Sequence, residues 1–204
     1  MNMNVFEAAR QLGIQKIVFA SSVQVISGDR RFGQTNNPSA LPYLPLDGET
    51  LPNPGNAYAL SKLAGEIMLG YFVKTAGLSC VAIRFPALYA YDRLEQLTNE
   101  PLTSPRPGHR LDEAFTYLSM DDAAQLIGCT LAAELPGFRI YFPAAPEPTL
   151  DWPIDEIVAT YFPDVPLRKP AEALSSLVDI SRIVEETGWR PTPLTRRIRS
   201  WDSR

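Results

Sequence analysis

Two short apolar runs on either side of one long helical stripe constrain this chain more than any other feature. Ile17-Val18-Phe19-Ala20 is a continuous apolar run of strand length closed by Ser21 and Ser22, and Leu78 to Phe85 is a second. Runs that are apolar at consecutive positions suit strands covered on both faces. Between them, Leu60, Leu63, Ala64, Ile67, Met68, Tyr71 and Phe72 fall on one stripe of a helix from Ala57 to Ala76, about five turns long and ended by Gly77. Strand, long connection, helix, strand is the crossover unit of a parallel sheet, so the fold class is α/β.

The rest of the chain fits this frame. Val5, Ala8, Ala9 and Leu12 form an amphipathic helical stripe that Gly13 is placed to stop with a left-handed residue. Residues 23–55 carry so many Gly and Pro that regular structure is excluded, and a loop of that length in a compact domain is usually functional. The stretch from Tyr91 to Pro107 reads as polar, Pro-rich loop. Phe115 to Leu118 and Arg139 to Pro143 read as strands, and Met120 to Glu134 as a helix with Asp121 and Asp122 in its first turn. Short helices are expected at Ile154 to Phe162 and Ser181 to Thr187, the second capped by Gly188.

Composition excludes several functions. At 204 residues, with 45% hydrophobic and 21% charged residues, the chain has a globular composition, and 19 prolines predict long ordered loops. A net charge of −4, with the only basic cluster at Arg196, Arg197 and Arg199 reading as a solvated tail, argues against nucleic acid as a partner. Cys80 and Cys129 lie inside apolar runs and read as buried thiols in a reducing compartment, with cytoplasm the default. There is no signal-peptide pattern at Met1 to Arg10 and no run of membrane-helix length. His109 is the single histidine, so His-based metal clusters and a Ser-His-Asp triad are ruled out, and no metal site is expected.

Acid–base chemistry must then come from Tyr, Lys, Asp or Glu. Tyr58 and Lys62 stand four apart near the start of the long helix, so both side chains emerge on one face. An ammonium one turn from a phenol favours the phenolate and makes Tyr58 a usable general acid or base. That spacing alone recurs by chance in roughly one of six or seven such chains. The added context is a strand ending in Ser21-Ser22 upstream and a strand ending near Arg84 downstream, which a parallel sheet brings to the same carboxyl edge, where ligands bind.

With these residues in place, the chain resembles the extended short-chain dehydrogenase/reductases, the NAD-dependent epimerase/dehydratase family. Val5 to Ala9 through Ile17 to Ser22, Tyr58-Ala59-Leu60-Ser61-Lys62, and Ile83 to Tyr89 resemble its active-site strand, its Tyr-x-x-x-Lys helix and its following strand and loop. Phe115 to Ala124, Asp179 to Arg182 and Gly188 to Pro191 resemble its C-terminal segments. The resemblance implies a partial Rossmann-like, doubly wound parallel sheet, the C-terminal half of that fold. Residues 1–90 would be the remainder of an NAD(P)-binding domain, and residues 91–204 a mixed substrate-binding region that returns one strand to the sheet. It implies Ser22, Tyr58 and Lys62 as catalytic residues, and Ser21, Tyr58, Lys62, Phe85 and Pro86 as contacts of NAD or NADP. Ser22, Gln24, Ala87, His109 and Arg110 would contact a sugar or nucleotide-sugar-like substrate, with Arg110 suited to an anion. It also implies a homodimer through the helices at 2–13 and 57–76.

The chain departs from the family pattern at several points. Ile26-Ser27 stands where Tyr-Gly is common, Ala87 where a substrate-contacting Asn is common, and Val23-Gln24 where the 4,6-dehydratases carry Asp-Glu. The glycine-rich turn that holds a dinucleotide pyrophosphate is absent, since no glycine precedes Gly13. The expectation is strands 5, 6 and 7 of the family's sheet, with the active-site strand exposing an unpaired edge that invites association or demands a complementary segment. Two functions stay open: an NAD(P)-dependent epimerase/dehydratase-type oxidoreductase, and a non-catalytic remnant or binding module without cofactor.

Overall fold

The computed structural model describes residues 1–27, 41–99 and 113–193. Its centre is the crossover unit. Strand β1 (Lys16–Ser22) pairs in parallel with β2 (Ser79–Phe85), from Lys16 opposite Ser79 to Ser22 opposite Phe85. Between them runs α2 (Ala57–Ala76), which starts where the Asn56 side chain accepts a hydrogen bond from the Ala59 amide and stops at Gly77 with φ of +67°. Strand β5 (Phe138–Tyr141) pairs in parallel with the other side of β2, giving the order β1-β2-β5. A second, two-stranded parallel sheet joins β3 (Ala87–Tyr89) to β4 (Tyr117–Ser119). Among the described residues β1 pairs on one side only, as expected of the active-site strand.

Side chains alternate across the sheet. Cys80 and Ala82 face α1 (Asn2–Gln11) and α2, where Phe6, Leu69 and Phe72 cover them. Burial there pushes the Cys80 thiol up to about 11, which keeps it an inert core residue. Val81 and Ile83 face the opposite way, onto Leu118 of β4, Ala123 and Leu126 of α4 (Met120–Ala132) and Ile183 of α6 (Ser181–Thr187). Beyond the carboxyl ends of the strands, Val23, Val25 and Ile26 join Leu41, Leu44 and Leu46 in a third core, with Phe115, Phe142 and residues of α5 (Ile154–Tyr161). Leu44 and Leu46 form single bridges to Leu167 and Val178, so the Gly- and Pro-rich loop is pinned by backbone pairing. Gly48 sits where a Cβ would lie 2.0 Å from the Ile140 carbonyl oxygen; only glycine lets this loop reach β5.

Four expectations are corrected. The helical stripes assigned to α1 and α2 match the core face only in part: Val5, Leu12, Leu60, Ile67 and Tyr71 are exposed and Leu63 and Met68 half-buried, while Phe72 of the stripe is buried together with Phe6, Ala59, Glu66 and Leu69, which lie off it. The apolar residues outnumber those one face can use, so periodicity alone left the buried face rotated from the assigned stripe. Lys16 to Phe19 are half-buried rather than covered on both faces, because β1 is an edge strand. The stretch after Tyr89 is helical over α3 (Tyr91–Asn99), whose local sequence contains no Gly or Pro. Cys129 is half-buried, not fully buried.

One buried ion pair ties the crossover unit together. Arg84 of β2 and Glu66 of α2 are 1% and 2% exposed. Arg84 Nε and Nη2 donate to the two Glu66 carboxylate oxygens at 3.0 and 2.8 Å, and Nη1 donates to the Thr50 carbonyl at 2.7 Å. A bidentate pair of this kind is the geometry in which guanidinium and carboxylate compensate each other best. Arg84→Ala leaves a carboxylate and a carbonyl buried without their donor, and is expected to destabilise the fold by about 3–5 kcal/mol in urea unfolding. Replacing both partners with apolar residues of similar volume is expected to recover most of that loss.

A second charged cluster fastens α6 to β5. Glu186 accepts from Arg139 Nε at 3.0 Å, Arg182 Nε at 3.3 Å and the Tyr141 hydroxyl at 2.5 Å. Burial works against the Glu186 carboxylate, but the Tyr141 and arginine hydrogen bonds outweigh it and hold its pKa below the ordinary 4.5. A carboxyl depressed in the folded state contributes stability above its unfolded pKa and loses it as pH falls through the folded value. Glu186→Gln is therefore expected to flatten the loss of melting temperature below pH 4.5 and to leave the slope near neutrality unchanged.

Candidate active site

Strand parity divides the two serines. Ser21 lies on the α2 side of the sheet with Phe19, and its hydroxyl donates to Glu66 Oε1 at 2.6 Å in the core. Ser22, one residue on, ends the strand and caps a one-turn 3-10 helix at Val23–Val25, its Oγ accepting from the Gln24 amide at 3.2 Å. That leaves the Ser22 hydroxyl proton free to be donated elsewhere. Gln24 is held in turn, its Oε1 accepting from the Nδ2 of Asn56, the residue that caps α2.

Tyr58 and Lys62 project from the first two turns of α2 towards the end of β1. Lys62 Nζ donates to the Ala20 carbonyl at 2.8 Å, 5.5 Å from the centre of the Tyr58 ring and 5.3 Å from that of Phe19. An ammonium has three donors, so this bond leaves capacity for a ligand. The Tyr58 side chain is half-exposed, at 50%. Ser21, Ser22, Gln24, Tyr58, Lys62, Phe85 and Pro86 all line one cavity of about 340 Å³, together with Ala20, Val23 and Leu88. The volume lies at the lower end of ligand pockets, enough for a nicotinamide-ribose or a monosaccharide and too small for a whole dinucleotide.

Seven of the ten residues singled out from the sequence thus share one cavity. Ala87 does not line it; it pairs with Tyr117 in β3, and Leu88 occupies the wall at that point. His109 and Arg110 lie outside the described residues. The residue that sequence reasoning missed is Glu66. Its signal was available: Tyr58, Lys62 and Glu66 recur every four residues on one helical face, and an arginine, Arg84, sits inside an apolar strand run that requires a buried counter-charge. Among the described residues no helix is long and apolar enough to cross a membrane.

The chain is 28% identical over 149 residues to a uronate dehydrogenase of Pseudomonas putida, a match covering 73% of this chain and 46% of that protein. It is 34% identical over 135 residues to an NAD-dependent glucose-6-phosphate dehydrogenase of Haloferax volcanii, covering 64% and 45%. The chain therefore spans about half the length of the curated relatives it matches. Among solved structures, a UDP-N-acetylglucosamine 4-epimerase from Bacillus cereus superposes with a TM-score of 0.61 at 20% identity over 96% of this chain and 68% of that one. A UDP-glucose 4-epimerase of Thermus thermophilus in complex with NAD gives 0.54 at 21% identity over 94% and 63%. These establish the parallel α/β fold. Residues 1–104, which carry β1, α2 and β2 with the whole described cavity lining, match the model of the NAD dependent epimerase/dehydratase family, and the chain belongs to that family.

Proposed function

We propose that this chain carries the acid–base half of an NAD(P)-dependent oxidoreductase or epimerase acting on a carbinol carbon of a sugar, sugar acid or nucleotide sugar. The observation that supports this most is the cavity shared by Ser22, Tyr58 and Lys62, with the lysine ammonium 5.5 Å from the phenol ring. Tyr58 acts as the general base that takes the proton of the substrate hydroxyl. Ser22, whose lone pair is engaged by the Gln24 amide, donates its hydroxyl proton to the same substrate oxygen and holds it beside the phenol. Lys62 sets a positive charge beside the negative charge that develops at the reacting oxygens, and is fixed in place by the Ala20 carbonyl. NAD(P), when bound, supplies hydride acceptance and return.

The cavity fits the nicotinamide-ribose end of such a cofactor. Lys62 has free donors for ribose hydroxyls, and Phe85 and Pro86 offer an apolar wall. Substrate contacts are assigned to Ser22 and Gln24 in the cavity, and to His109 and Arg110 by resemblance. A sugar acid or sugar phosphate is favoured by the uronate and glucose-6-phosphate dehydrogenase relatives and would engage Arg110 as an anion partner. Two free cysteines fit a reducing compartment such as the cytoplasm. The outward apolar side chains of α1 and α2, including Val5, Ile67 and Tyr71, support a homodimer formed through these helices.

The test is NADH fluorescence titration of the purified chain, followed by absorbance at 340 nm with NAD or NADP and a panel of uronates, hexose phosphates and nucleotide sugars. Saturable binding and turnover would support this reading. Tyr58→Phe should lower kcat by about 10²–10⁴-fold with cofactor affinity changed little. Absence of saturable binding would favour a module without cofactor. For the dimer, Ile67→Glu is expected to halve the sedimenting mass in analytical ultracentrifugation; a wild-type monomer at tens of micromolar would overturn that assignment.

A further inference from the structure

We propose that Ser21 and Glu66 are positioning residues for Tyr58, a role that rests on the acid–base function just assigned to that phenol. Tyr58, Lys62 and Glu66 lie on successive turns of one face of α2. The lower two turns are bonded to β1: Lys62 to the Ala20 carbonyl at 2.8 Å and Glu66 to the Ser21 hydroxyl at 2.6 Å. The turn above them carries Tyr58, half-exposed, next to the buried Ala59 and to the cap residue Asn56, which donates to Gln24. The height and rotation of the phenol in the cavity it shares with Ser22 are therefore set from two points one and two turns below it, with the cap of the helix held above.

Glu66 is suited to this because it cannot move. Arg84 holds both its carboxylate oxygens, and Arg84 is itself tied to the Thr50 carbonyl. Ser21 lies directly opposite Arg84 in the β1–β2 register, so the strand carrying Ser22, the strand carrying Arg84 and the helix carrying Tyr58 meet at one carboxylate. Removing the Ser21 hydroxyl leaves the ion pair whole, since Arg84 Nε still donates to the same Glu66 oxygen. Ser21→Ala thus separates the positioning contact from the stability of the core, which Arg84→Ala does not.

The experiment uses 3-fluorotyrosine incorporated into the full chain and read by ¹⁹F NMR, with the Tyr58 line identified by its loss in Tyr58→Phe. In Ser21→Ala the Tyr58 line should broaden or split while those of the buried Tyr117 and Tyr141 stay unchanged, and Ser21→Thr should restore the wild-type line. In the 340 nm assay kcat should fall about 10- to 100-fold with KM within about twofold, the signature of a displaced catalytic group. An unchanged Tyr58 line in Ser21→Ala overturns the proposal, as does equal disturbance of Tyr117 and Tyr141, which would mark general loosening. Full turnover by Tyr58→Phe would instead refute the acid–base function, and the Tyr58 line would still decide whether Ser21 positions that side chain.

Discussion

The Glu66–Arg84 ion pair is the constraint on which the rest of this structure depends. Two charges with almost no exposure survive in a core only when each is matched in geometry and hydrogen bonding. Here the match is complete only if β1, α2, β2 and the loop at Thr50 are all in place, because each supplies one partner. Apolar packing between helix and sheet tolerates sliding and repacking, whereas a bidentate pair does not. Such a pair adds little net stability over an apolar substitute, and its value here is in the register it imposes.

That register matters because the chemistry is assembled from separate segments. Ser22 comes from a strand end, Tyr58 and Lys62 from a helix that starts more than thirty residues later, and Phe85 and Pro86 from the end of the next strand. Parallel pairing brings the two strand ends flush, and the helix returns antiparallel to them with its first turns over that edge. The alternation of the strand then sends Ser21 to the core and Ser22 to the cavity rim, so two adjacent identical residues serve different ends. Gln24 and Asn56 join the loop after β1 to the cap of α2, closing the same edge from the other side.

The order β1, α2, β2, α4, β5 was legible in the sequence, though not β3 or α3, as were the limits of α2 and α6, the strand preceding Ser22 and the Tyr58–Lys62 pair. These rest on local signals: a cap residue, a terminal glycine, an apolar run, a four-residue spacing. The buried faces of α1 and α2 were not legible. Both helices carry apolar residues on two sides, and the choice between Phe6 and Leu69 on one hand and Val5, Ile67 and Tyr71 on the other is made by where the sheet lies. Nor did the breaker-rich loop announce that Gly48 would press against the Ile140 carbonyl, a contact between residues ninety positions apart.

By itself, then, the sequence determined a parallel α/β unit with a phenol and an ammonium one helical turn apart, because helix and strand periods, caps and turns are encoded within a few residues. Only the tertiary structure decided that Glu66 and Arg84 would face each other, that Ser21 would be spent on that pair and Ser22 left for the cavity, and that Leu88 rather than Ala87 would line it. Those outcomes depend on register and on which face is buried, and both are set by contacts between segments far apart in the chain.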